Sequence, residues 1–75
     1  MKFYVVRGEE GLHLFIGVKP EKTTLVGLNG ERLKCWTSDE DPDNYWIVDL
    51  PSDMFPNLKF EDGPLEVKLT EVYNE

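Results

Sequence analysis

Turn-forming residues interrupt this chain so often that no long helix fits between them. Gly8, Gly11, Pro20, Asn29-Gly30, Pro42, Pro51, Pro56 and Gly63-Pro64 divide it into short apolar runs. No stretch of about ten residues or more keeps the 3.6-residue apolar period of an amphipathic helix. Short runs rich in Val, Ile, Phe, Tyr and Thr, bounded by such residues, are strands joined by tight turns. Lys2–Arg7 reads as a first strand and Leu12–Val18 as its return, with Gly8-Glu9-Glu10-Gly11 between them. Symmetric closure pairs Phe3 with Ile16, Val5 with Leu14 and Arg7 with Leu12 on one face. Tyr4–Phe15 and Val6–His13 fall on the other. Both faces are mainly apolar, so this hairpin belongs inside a curved or wrapped sheet.

The second hairpin has the sharpest local signal. Thr23–Leu28 and Glu31–Thr37 flank Asn29-Gly30, the dipeptide suited to a type I′ turn because both central positions need positive φ. A two-residue loop pairs Val26 with Leu33 and Thr24 with Cys35 on one face. Leu25–Lys34, Gly27–Arg32 and Thr23–Trp36 then lie on the other. Ser38–Asn44 reads as a loop and Tyr45–Asp49 as a fifth strand. Leu50–Pro56 reads as one short helical turn near 51–56, capped by Ser52-Asp53. Leu65–Tyr73 closes the chain as a last strand with Leu65, Val67 and Leu69 inward. The expectation is one all-β domain over residues 1–75, a small antiparallel barrel or sandwich of five to six strands. Hairpins followed by a short turn ahead of a final strand resemble the layout of SH3-like barrels. The aromatic-rich motif of proline-peptide-binding SH3 domains is missing, so the resemblance implies a fold and no activity.

Charge narrows the function. The chain carries 8 Lys and Arg against 15 Asp and Glu, a net charge of -7, with 40% hydrophobic and 12% aromatic residues. That apolar share supports a folded core, and the acidity argues against a phosphate-backbone binder. Residues 1–37 hold six cations against four acids, whereas residues 38–75 hold two against eleven. An acidic half of this kind can steer a basic partner. Cys35 is the single cysteine, which excludes an internal disulfide and a zinc site of four thiolates. Neither Met1–Arg7 nor Leu14-Phe15-Ile16 has the apolar length of a signal peptide or a membrane span. A cytoplasmic location is expected.

Three groups of residues are candidates for a site. Asp39, Asp41 and Asp43 alternate as in a D-x-D-x-D calcium loop, but Leu50 stands where a bidentate Glu is needed and Pro42 stiffens the middle. They read as a solvated loop, with no metal and no cofactor expected; together with Glu61 and Asp62 they form a candidate acidic surface. Cys35 and His13 fall on different faces in the registers above and make no nucleophile–base pair, so no catalytic residue is assigned. Trp36, with Arg32 and Lys34 on its strand face, and the adjacent Tyr45 and Trp46 are the candidate aromatic surface. One of Tyr45 and Trp46 must point outward if that segment is extended. A non-enzymatic protein-interaction module, monomeric or a weak homodimer, is the leading expectation. The alternative is an acidic nucleic-acid mimic that inhibits a basic nucleic-acid-binding protein. Direct nucleic-acid binding through Arg32, Lys34 and Trp36 ranks below both, and no membrane partner is expected.

Overall fold

The computed structural model describes residues 1–68 and Thr70. Six strands account for its regular structure: β1 (Phe3–Gly8), β2 (Gly11–Ile16), β3 (Glu21–Val26), β4 (Arg32–Thr37), β5 (Trp46–Leu50) and β6 (Leu65–Val67). They form a four-stranded antiparallel sheet in the order β5-β2-β1-β6 and a separate two-stranded arm, β3-β4. The class is all-β, as expected, but the two sheets do not close into a barrel. No helix among the described residues is long and apolar enough to cross a membrane.

The β1–β2 register is the expected one, from Phe3 opposite Ile16 to Arg7 opposite Leu12. It brings Tyr4, Val6, His13 and Phe15 to one face, and Phe3, Val5, Arg7, Leu12, Leu14 and Ile16 to the other. Each face nucleates its own small core. Tyr4, Val6 and Phe15 pack with Val18, Trp36 and Tyr45. On the opposite side Val5, Leu12 and Leu58 pack with Leu14, Leu50, Phe55 and Val67. Val5, Val6, Leu12 and Phe15 are fully buried, and each such side chain contributes about 1.5–3 kcal/mol of transfer free energy.

The arm departs from its expected register by one residue. Val26 faces Arg32, Leu25 faces Leu33 and Thr23 faces Cys35. Gly27 N–H donates to the Glu31 carbonyl and Gly30 N–H to that of Gly27. The loop is therefore Leu28-Asn29-Gly30, three residues long, with Gly30 alone at positive φ (80°). This arrangement asks for the left-handed conformation only at glycine, whereas a type I′ turn also requires it of Asn29.

Residues 51–56 are also corrected. They form consecutive turns without a helix, because Phe55 adopts a left-handed φ of 51°. Arg7 gathers the carbonyls of these turns: its guanidinium donates to Ser52, Met54, Phe55 and Leu58. One buried-strand arginine thus pins a lid, residues 51–58, over one end of the sheet. Helical turns occur instead as single 3₁₀ turns at Pro42–Asn44 and Phe60–Asp62. The first has the cap-and-proline pattern, with Asp41 accepting from Asp43 N–H and Pro42 opening the turn. Leu65 does not turn fully inward; it stays 39% exposed on edge strand β6, while Val67 joins the core. The remainder of the expected last strand, including Leu69, lies outside the described residues.

Candidate functional site

The three aromatic candidates do not share a surface. Trp36 is half-buried: its indole N–H donates to the Arg7 carbonyl at 3.0 Å and its ring lies 5.2 Å from that of Phe60. Lys22 reaches over both rings and donates to the Glu61 carbonyl. Lys34 lies over Phe60 and pairs with the Glu61 carboxylate at 3.6 Å. This knot fastens the arm to the rest of the molecule and engages Lys34, one of the two cations on the strand face of Trp36. Tyr45 is half-buried and stacks on Phe15, with centroids 6.2 Å apart and planes 14° apart. Trp46, its neighbour, points to the other side of the sheet and is exposed.

Trp46 opens an edge. Strand β5 pairs with β2 on one side, and among the described residues has no strand on its other side. Three consecutive apolar residues on it are exposed: Trp46 at 58%, Ile47 at 52% and Val48 at 43%. Trp46 and Val48 lie on the face of Phe3, Leu14 and Ile16; the lid covers the Arg7–Leu12 end of that face. Ile47 lies on the opposite face. An edge with open backbone groups and apolar side chains on both faces is a template for another chain.

On the Ile47 side the edge borders a cleft of about 300 Å³. Phe15, Leu25, Trp36 and Ile47 supply its apolar lining, and Glu9, Glu10, His13, Lys34, Cys35 and Asp49 its polar groups. His13 Nδ1 and Asp49 Oδ1 are 2.8 Å apart, held by direct cross-strand pairing of β2 and β5. Nothing in the sequence points to this pair, since the β2–β5 register cannot be read from either strand alone. Cys35 and His13, expected on separate surfaces, line this one cleft; the hydrogen bond of His13 goes to Asp49.

The acidic candidates are divided as well. Asp39, Asp41 and Asp43 are exposed in the loop before β5, with Asp41 engaged in capping. Asp62 accepts from Lys59 N–H, and Glu61 is bound into the Lys22–Lys34 knot. The Glu61 carboxyl titrates below its ordinary 4.5, chiefly through its own backbone N–H and further through Lys34. Among the described residues, no three His, Cys, Asp or Glu side chains converge to hold a metal ion. Comparison with protein-family models, with curated proteins and with solved structures finds no match to this chain.

Proposed function

We propose that this chain is a small, non-enzymatic protein-binding module of the cytoplasm whose docking surface is the β5 edge, with Trp46 as its anchor. The observation that carries the reading is the run Trp46-Ile47-Val48, exposed on the strand that ends the sheet among the described residues. A large aromatic at the centre of an apolar patch is the type of residue on which binding energy concentrates. Trp36 and Tyr45 contribute indirectly, by fixing the sheet from which Trp46 projects. The acidic-mimic reading draws less support, because Asp41, Glu61 and Asp62 are already used within the fold.

The test is retention on immobilised protein. Wild-type chain retains a partner from cell lysate, and Trp46→Ala releases it while leaving the circular dichroism unchanged. Equal retention by both, or none by either, overturns the reading.

A further inference from the structure

The free backbone groups of β5 can be identified from one hydrogen bond. Gly17 N–H donates to the Lys2 carbonyl at 2.9 Å. Antiparallel alternation then makes Tyr4–Phe15 and Val6–His13 the hydrogen-bonded pairs of β1 and β2. Leu12, Leu14 and Ile16 direct their backbone groups to β5, where Leu50, Val48 and Trp46 meet them. Ile47 and Asp49 are left with N–H and C=O directed off the edge. Their side chains line the cleft, whereas those of Trp46, Val48 and Leu50 lie on the opposite face.

Charge selects what can pair there. Between Lys34 and Lys59 the chain has no Lys or Arg but carries Asp39, Glu40, Asp41, Asp43, Asp49 and Asp53. All six are exposed, and they lie before, within and after β5. A second copy paired through β5 would set two such segments side by side, and like charges across an interface oppose association. An incoming basic strand meets the complementary sign.

We infer that the β5 edge takes an extended peptide in which basic and apolar residues alternate. The peptide adds a fifth strand to the sheet. Residues opposite Ile47 and Asp49 turn their Lys or Arg side chains toward the cleft and the Asp49 carboxylate. Residues between them lie against Trp46 and Val48. Period-two alternation in the partner follows from the alternation in β5 itself. This inference rests on the β5 docking surface proposed above and specifies its occupant.

The experiment uses isotope-labelled chain and the synthetic peptide Lys-Val-Lys-Val-Lys-Val-Lys, blocked at both ends, with Glu-Val-Glu-Val-Glu-Val-Glu as control. Amide exchange at Ile47 and Asp49 should slow on adding the lysine peptide and not the glutamate peptide, and binding should weaken with salt. Ile47→Pro removes an outward N–H without touching the β2 ladder and should weaken binding about tenfold or more, near 1.4 kcal/mol. Should that variant fold poorly, a lysine peptide N-methylated on the residues facing β5 makes the same test on unaltered protein. Unchanged exchange with the lysine peptide, equal binding of the glutamate peptide, or undiminished binding of the N-methylated one overturns the inference. Concentration-dependent protection of Ile47 and Asp49 without peptide also overturns it, in favour of a second copy, and leaves β5 as a docking surface. A partner retained through Trp46 with no protection at these amides overturns strand addition alone; no retention removes the surface itself.

Discussion

The two hairpins differ in what holds them in place. β1–β2 lies between two small cores, with Val6 and Phe15 buried on one face and Val5 and Leu12 on the other. β3–β4 pairs over the same number of residues, yet Leu25 is 55% and Val26 71% exposed. One hairpin has its register fixed by burial, since a slip of one residue would move each apolar set to the wrong core. The other has its register fixed by its loop. Apolar residues fall on both faces of the arm, and toward its tip Leu25, Val26 and Leu33 are open to water, so pattern alone does not discriminate between pairings.

The largest expected effect breaks this comparison most directly. Phe15→Ala should cost about 3–5 kcal/mol, a large part of the roughly 4–11 kcal/mol available to a domain of this size. Leu25→Ala should cost less than about 1 kcal/mol, as for exposed positions generally. Urea denaturation of the two variants measures the contrast. Equal losses would mean that the arm is as integral to the cooperative unit as the sheet.

The same contrast explains how much of the fold was legible in the residues. Symmetric closure about Gly8-Glu9-Glu10-Gly11 was enough to read the β1–β2 register in full. Asn29-Gly30 located the second turn but not its length, because Gly30 alone meets the needs of the three-residue loop. The parity of Tyr45 and Trp46 was readable, and it put one ring inside and one outside. Which strand would end the sheet was not readable. That depends on long-range pairing of β5 with β2, and it also created the His13–Asp49 contact. The missing helix at 51–56 goes with the left-handed φ of Phe55, and the distant guanidinium of Arg7 takes up the carbonyls of the turns that replace it.

Trp36 joins the two hairpins and gives the next effect in size. Its indole N–H to the Arg7 carbonyl is a direct hydrogen bond between arm and sheet. Trp36→Phe keeps a ring against Phe60 but loses that donor, at a cost of about 1 kcal/mol. Amide exchange should accelerate in β4 and remain slow in β1 and β2. Uniform acceleration across both hairpins would show that the arm has no opening of its own.

Loop length offers a smaller and sharper test. Deleting Leu28, which is fully exposed, leaves Asn29-Gly30 as a two-residue loop between Gly27 and Glu31. The pairing Val26–Arg32 can then persist with a type I′ turn. Stability should change by no more than about 0.5 kcal/mol, and cross-strand nuclear Overhauser contacts should keep the present partners. A shift to Val26–Leu33 would mean that side-chain packing, rather than the loop, governs the arm.

The smallest effect is a titration. Glu61 sits in the 3₁₀ turn after the lid, while Lys34 belongs to β4, so their ion pair exists only while the arm is docked. The folded carboxyl titrates below its ordinary 4.5. Its contribution to stability is therefore complete above that value and is lost as pH falls through the lowered folded value. The exposure of both partners to solvent keeps the contribution small. In Lys34→Met the Glu61 titration, followed by carbon-detected NMR, should move upward toward 4.5 without reaching it, because its own backbone N–H remains the larger cause. The same partial rise should occur in Trp36→Phe if loosening the indole contact frees the arm. A Glu61 titration unchanged in Trp36→Phe but raised in Lys34→Met would place the hold on the arm in the cation–aromatic stack of Lys22, Lys34 and Phe60 rather than in the indole hydrogen bond.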